Sequence, residues 1–169
     1  MVPRECRAWW WVFVVAGVLA LMPGAHAQTA APFAIAAFDF KDTSGEIRDQ
    51  TAEHAARLKI FDAALRDRLA ADPRIRLVSL TCRAEPCSAR NAGLEPLIDS
   101  AKAADARYLL IGEFHKVSTL IGLLKLAVYD LKEKKVACDR ALSYRGDTDE
   151  AFEHAARFAA RDVGQNCIQ

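Results

Sequence analysis

The alternation of apolar and polar residues along the chain separates five strand-like segments from three helical ones. The strand-like segments are short apolar runs or two-residue alternations, each bounded by polar residues, Gly or Pro. The last two are separated only by a short lysine-rich stretch, which predicts a hairpin. We predict strands at Phe33–Phe40, Arg74–Leu80, Ala106–Phe114, Leu120–Leu131 and Lys135–Tyr144.

Apolar residues recur every three or four positions in the helical segments, which is the spacing of a helix with one buried face. In the first helix Phe61 and Leu65 mark the buried face, and Glu53 and Arg57 are spaced to pair on the polar side. Pro73 ends this helix, because the residue before a proline disfavours helical geometry. The predicted helices are Thr51–Ala71, Glu95–Ala104 and Asp147–Val163.

The resulting order, β-α-β-α-β-β-β-α, predicts the α/β class with a mixed β-sheet and helices packed on it. Alternating βα units give parallel strands through right-handed crossovers. The last three strands are expected to form an antiparallel meander, which makes the sheet mixed. We predict a single α/β domain over residues 33–169, preceded by a short leader at 28–32.

The N-terminal 27 residues have the three-part pattern of a cleaved secretory signal. A basic start is followed by fifteen apolar residues and by small residues at Ala25 and Ala27. The apolar run is shorter than the ~20 residues that span a bilayer. The sequence therefore predicts a periplasmic protein with no stable membrane span after cleavage, rather than one held by an uncleaved anchor.

Charge and motifs narrow the classes of partner. Without Arg4, Arg7 and Glu5 of the signal, the 23 basic and 22 acidic residues become equal in number. A neutral chain lacks the basic footprint of nucleic-acid-binding proteins, so no nucleic acid is expected as a partner. We find no cofactor-binding motif and predict no cofactor.

Four cysteines remain after the signal, and their positions predict two disulfides. The strand that begins at Cys138 runs about 20–23 Å. The following helix returns about 24 Å, which brings Cys167 beside Cys138. Cys82 and Cys87 then pair within one loop. The alternative, a metal held by four thiolates, is disfavoured by their wide spacing.

Polar loops follow three strands that end at one predicted edge of the sheet, the edge where ligands bind in folds of this kind. Lys116 and Arg145 could receive an anion there, close to the start of the last helix. The ligand- or partner-binding candidates at this loop edge are Asp42, His115, Lys116, Ser118, Arg145, Asp147 and Thr148.

Catalytic and metal-binding interpretations of the same residues are weaker. His115, Ser118 and Asp147 could form a hydrolase-like group, but no nucleophile elbow or oxyanion loop accompanies them. His54 and His154 are predicted on exposed helix faces, at spacings that no common metal motif uses. We therefore predict no catalytic residues and no metal ligands.

The segment SYRGDTDEAFEHA is explained mainly as a strand exit followed by a helix start. Asp147 is predicted to be the N-cap, with Glu150 as its partner in a capping box. Gly146 permits the tight turn out of the strand. Arg145 is the residue that the helix start does not explain, and it is expected either to pair with Asp42 or to bind something from outside.

Two segments, GEFHKVSTLI and SYRGDTDEAFEHAARFAARD, together with FDF and DTS near the start, resemble an exported proteobacterial family known as domain of unknown function 2380. The resemblance extends from Phe33 to about Asp162 and implies no established activity. The family usually has a bulkier aromatic residue where this chain has Phe152. The element order also resembles the N-terminal domain of the periplasmic protein TolB and related envelope lipoprotein activators, which implies fold alone.

These observations predict an exported periplasmic accessory protein that binds another envelope protein, with no catalysis expected. One alternative is a small-ligand (anion) binding protein or small enzyme that uses the loop edge around Asp42, His115, Lys116 and Arg145. Another is a structural subunit that dimerises through an edge strand.

Overall fold

The computed structural model describes residues 29–168. Six strands form one mixed sheet that lies between two layers of helices. The predicted signal peptide lies outside the described residues. The strands are β1 (Ala31–Ile35), β2 (Asp39–Asp42), β3 (Ile75–Val78), β4 (Tyr108–Lys116), β5 (Ile121–Asp130) and β6 (Lys135–Arg145). The helices are α1 (Thr51–Ala70), α2 (Ala89–Ala92), α3 (Leu94–Ala103) and α4 (Asp149–Asn166).

The strand order across the sheet is β3-β1-β4-β5-β6. β1 is parallel to both β3 and β4, and β2 continues the parallel pairing with β4. β5 and β6 are antiparallel to their neighbours. The predicted mixed α/β fold is therefore confirmed, while α2 is a short helix that the sequence pattern did not indicate.

The first predicted strand is divided into β1 and β2. Ile35 is aligned with Leu110, but Asp39 is aligned with Glu113, so the first segment has one residue more than β4 between the two pairings. An extra residue of this kind bends a strand locally. Within the interruption, the Ala37 amide donates to the Cys87 carbonyl at 2.8 Å, which attaches the cysteine loop to the sheet.

An aromatic cluster fills the core between the sheet and the α1–α4 layer. The Phe114 ring on β4 lies 4.6 Å from Phe152 of α4 and 4.7 Å from Phe61 of α1, between ring centroids. Tyr144 of β6 completes it, at 5.4 Å from Phe114. The buried stripe predicted for the last helix, including Phe152, faces this core.

The opposite face of the sheet is covered by α3, whose Leu97, Ile98 and Ala101 pack with β1 and β4. The side chains that β6 presents on that face, Ser143 and Arg145 among them, are exposed. Helical cover on this side therefore does not extend over the C-terminal part of β6.

Both predicted cysteine pairs lie at disulfide distance. Cys138 at the start of β6 is joined to Cys167 just after α4, with a Cα–Cα distance of 5.2 Å. Cys82 and Cys87 are joined within their loop, at 5.5 Å between Cα atoms. Within residues 29–168, no helix is both long and apolar enough to cross a membrane.

Gly122 on β5 is required by the aromatic cluster, because the Tyr144 ring lies directly over it where a Cβ would stand. Gly122→Ala is expected to lower the free energy of unfolding by about 1–3 kcal/mol, since the ring must move out of its packed position. Urea denaturation followed by circular dichroism measures the loss. In a Tyr144→Ala background the same change should cost much less, and an equal cost in both backgrounds would show that the ring is not the cause.

Candidate functional site

The loop edge contains a buried charged group, because β4 extends two residues further than predicted. His115 and Lys116 pair in register with Lys41 and Asp42 of β2, so they are strand residues and not part of the turn. The extension directs the Lys116 side chain toward the α1–α4 layer, where it is only 4% exposed. A buried ammonium group requires acceptors for its protons.

Three acceptors surround the Lys116 ammonium group. Lys116 Nζ donates to Asp147 Oδ2 at 2.8 Å. It also donates to a Glu46 carboxylate oxygen and to the Gln50 side-chain oxygen. A lysine has three N–H donors, so all of them are used within the protein.

Asp147 is the centre of this buried network, which we define as Lys116, Glu46, His54, Arg57 and Asp147. His54 Nε2 lies 3.0 Å from Asp147 Oδ2, and Arg57 Nη1 donates to Oδ1 at 2.6 Å. The carboxylate thus joins α1, β4 and the entry to α4.

Asp147 is therefore not the predicted N-cap of the last helix. That position is taken by Thr148, whose hydroxyl oxygen accepts from the Ala151 amide at 3.3 Å. The predicted pair of Glu53 with Arg57 is also replaced, because Arg57 binds Asp147 while Glu53 binds Arg48 at 2.9 Å.

The electrostatic balance of the network favours its charged form. Burial alone would raise the pKa of the Asp147 carboxyl, but hydrogen bonds from Lys116 and His54 and the nearby Arg57 charge hold that pKa below its usual value. Burial would lower the pKa of Lys116, yet its bonds to Asp147 and Glu46 raise it. Burial, together with the Asp147 charge, also raises the pKa of Tyr144 above its ordinary value.

Sequence reasoning missed part of this network. His54 was predicted on an exposed face, but it is buried and stacks on the Phe40 ring at 4.1 Å between centroids. A signal was present, because His54 precedes Phe61 by seven residues and so lies on the same helical stripe. Glu46 carried no such signal, because it lies in the loop between β2 and α1, where no periodic pattern indicates which side chains are buried.

Three other candidates order the loops around them. His115 Nε2 lies 2.7 Å from the Thr43 hydroxyl, on the sheet face opposite Lys116. Ser118 accepts backbone amides within the β4–β5 turn, and Asp42 accepts the Ser44 amide at 2.8 Å. The contacts of Ser118 and Asp42 are local, and that of His115 joins β4 to the residue that follows β2.

Arg145 lies apart from Lys116. Lys116 is aligned with Gly122 and Gly122 with Tyr144, so Tyr144 shares the face of Lys116, and Arg145 points to the other face. The expected anion site of Lys116 with Arg145 is therefore not formed. Among residues 29–168 the Arg145 guanidinium has no ion-pair partner, Asp42 included.

The same described part of the chain contains no group of three or more His, Cys, Asp or Glu side chains arranged to hold a metal ion.

Apolar side chains are exposed close to Arg145. The β4–β5 turn and the first residue of β5 present Val117, Leu120 and Ile121, which we call the aliphatic turn, and Leu120 is 70% exposed. The Gly146 amide donates to the Leu120 carbonyl, so this turn adjoins the end of β6.

A groove of about 510 Å³ runs between β6 and α4. Its apolar walls include Leu142 and Tyr144 of β6 and Ala155 and Phe158 of α4, and Arg145 lies among its lining residues. The groove and the aliphatic turn thus meet at the end of β6.

The fold is similar to that of several solved proteins. TolB from Acinetobacter baumannii is 12% identical, with a TM-score of 0.50, over 81% of this chain and 28% of TolB. The chain therefore spans less than a third of that protein. The hypothetical protein CT253 from Chlamydia trachomatis is 15% identical, with a TM-score of 0.50, over 81% of this chain and 98% of its own.

The C-terminal domain of LpoB from Salmonella enterica is 13% identical, with a TM-score of 0.46, over 70% of this chain and 85% of that domain. Identities this low show the fold alone. No protein of curated function matches the sequence. Residues 31–163 match the family described as protein of unknown function (DUF2380), and the chain belongs to that family.

Proposed function

We propose that this protein is an exported accessory protein of the cell envelope that binds another protein and performs no catalytic step. The observation that carries the proposal is the contrast within the loop edge. Its buried charged groups bind one another, whereas the aliphatic turn beside them stands in solvent.

The charged network favours a structural role over a ligand site. Lys116 already donates to three acceptors, so an incoming anion would have to replace Asp147 or Glu46 at a side chain that is only 4% exposed. Removing one partner of a buried ion pair leaves the other without compensation, which is strongly unfavourable. The anion-binding alternative therefore has no free cation in this network.

The aliphatic turn supports a protein partner. Val117, Leu120 and Ile121 are 42%, 70% and 47% exposed, and they follow one another closely along the chain. Apolar side chains grouped in solvent, with polar residues around them, are typical of protein-binding surfaces. Ile121 is aligned with Arg145, which adds a cation to the same surface.

The N-terminal pattern supports the proposed location. Residues 1–27 have the composition of a cleaved secretory signal, and the family that the sequence resembles is exported. In the periplasm the aliphatic turn would be exposed to proteins of the cell envelope. An envelope protein is therefore the class of partner that we propose.

Photocrosslinking in living cells tests this function. A benzoylphenylalanine placed at Leu120 is expected to give a discrete adduct with one envelope protein, identified by mass spectrometry. Leu120→Ser with Ile121→Ser should weaken binding to that protein by roughly tenfold or more, since buried apolar anchors dominate interface energies. The same crosslinker at Lys102 on α3 is the control. Equal adducts from both positions, or none from Leu120, would contradict the proposal.

A further inference from the structure

β6 is an open edge of the sheet. The other edge strand, β3, has four residues, whereas β6 has eleven. In the described part of the chain, no residue outside β5 is hydrogen-bonded to the backbone of Cys138–Arg145, apart from Arg140, which donates to the Asp139 carbonyl. A strand in this state presents free N–H and C=O groups in a row.

The usual protections of an edge are reduced in this strand. Proteins blunt open edges with short strands, charged side chains, prolines, bulges or covering loops, and of these β6 has charged side chains along its length. β6 contains no proline, and its bulge lies near the start, opposite Val128 and Tyr129. From Cys138 to Arg145 the register with β5 runs without a break, which leaves eight regular residues as a template.

The groove beside this edge supplies positions for side chains. In an added strand, alternate side chains would point toward α4. There they would meet Leu142, Tyr144, Ala155 and Phe158, and the Phe158 side chain is 47% exposed. The occupant that this geometry fits is an extended segment with apolar residues at every second position.

The charge of the groove favours an extended segment that contains an acidic residue. Arg145 has no ion-pair partner within residues 29–168, and no Asp or Glu lines the groove. The Arg145 cation, in a groove without carboxylates, complements an acidic residue on the incoming segment.

The same charges disfavour full-length pairing of β6 with β6 of a second copy. β6 contains Lys135, Arg140 and Arg145 against a single acid, Asp139. In the antiparallel register that aligns all eleven residues of both strands, which is centred on Arg140, Lys135 lies opposite Arg145 of the other copy. Like charges directly opposite each other destabilise a strand pair.

We infer that β6 accepts an extended segment of a partner protein as an additional strand of the sheet. Apolar side chains of that segment fill the groove at every second position, and one carboxylate binds Arg145. Recognition of this kind combines backbone hydrogen bonds with side-chain pockets. The inference rests on the proposed function, because it names the type of segment by which the partner binds.

A display library of random twelve-residue peptides, selected on the exported and purified protein, tests the inference. The selected peptides should alternate apolar residues and contain Asp or Glu. Their binding should slow amide hydrogen exchange in residues 138–145. R145E should weaken binding at least tenfold, and a peptide with its acid changed to Lys should regain affinity for R145E. R83E reverses an exposed charge in the Cys82–Cys87 loop and should have no effect.

Several results would overturn the inference. These are no enrichment of peptides, peptides that bind wild type and R145E equally, or protection of amides outside β6. A dimer in analytical ultracentrifugation whose formation slows amide exchange in residues 138–145 would identify a second copy as the occupant instead. If the crosslinker at Leu120 still traps an envelope protein while the peptides fail, the proposed function stands and this inference does not.

Discussion

Replacement of Asp147 by Ala is expected to lower the free energy of unfolding by about 3–5 kcal/mol, because it removes one partner of a buried ion pair. The Lys116 and His54 side chains are only 4% and 7% exposed, so water compensates the loss of the carboxylate poorly. Urea denaturation at neutral pH, followed by circular dichroism, measures the loss.

Two matched variants separate the buried network from ordinary surface charge. Asp149→Ala removes a carboxylate that is 62% exposed and 3.5 Å from Arg57, and it should cost less than about 1 kcal/mol. Lys116→Met combined with Asp147→Leu removes two opposite charges together and should recover part of the loss, while Arg57 still lacks its partner. Equal, small effects of Asp147→Ala and Asp149→Ala would refute the importance of the network.

The same carboxylate predicts how stability depends on pH. Since folding lowers the pKa of Asp147, its contribution is fully present above the unfolded value of 3.8 and is lost as the pH falls through the lowered value. Wild type should therefore lose stability more steeply below about pH 4 than Asp147→Asn does. Thermal unfolding between pH 6 and pH 2 compares the two proteins.

Removal of the disulfide between Cys138 and Cys167 is the second large effect that we expect. The two cysteines are 29 residues apart, and opening a loop of this size costs about 3.5 kcal/mol in the chain-entropy model. Cys138→Ser with Cys167→Ser should lower the free energy of unfolding by that amount, as measured in urea.

The second disulfide serves as the control, because it closes a much smaller loop. Cys82 and Cys87 are five residues apart, which gives about 2 kcal/mol in the same model. The double serine variant at these two positions should therefore be the more stable of the two. A reversed order would show that loop entropy does not govern the contribution of these bonds.

The periodic elements and the Cys138–Cys167 pairing could be predicted because each depends on local spacing. Phe61 and Leu65 repeat at helical intervals, and the strand and helix between Cys138 and Cys167 have matching lengths. Such patterns need no knowledge of the rest of the fold. The TolB-like order of elements followed from them and was confirmed as a fold similarity.

The buried network could not be predicted in the same way. The burial of Lys116 depends on β4 continuing for two more residues, and that continuation depends on pairing with β2 on one side and β5 on the other. The face on which Arg145 lies depends on register, where a difference of one residue reverses the side chain. Both outcomes are set by contacts between distant segments.

The position of Asp147 also constrains the order in which the fold can be completed. His54 and Asp147 are 93 residues apart, and Lys116 and Asp147 are 31 apart. When a chain is released with its N-terminus first, α1 and β4 appear well before Asp147. Arg57 and Lys116 then have to wait for the carboxylate that compensates their charges. The ion pairs of Lys116 and Arg57 can form only after Asp147 has reached α1 and β4. The last strand and helix are therefore needed before the N-terminal half can reach its final structure.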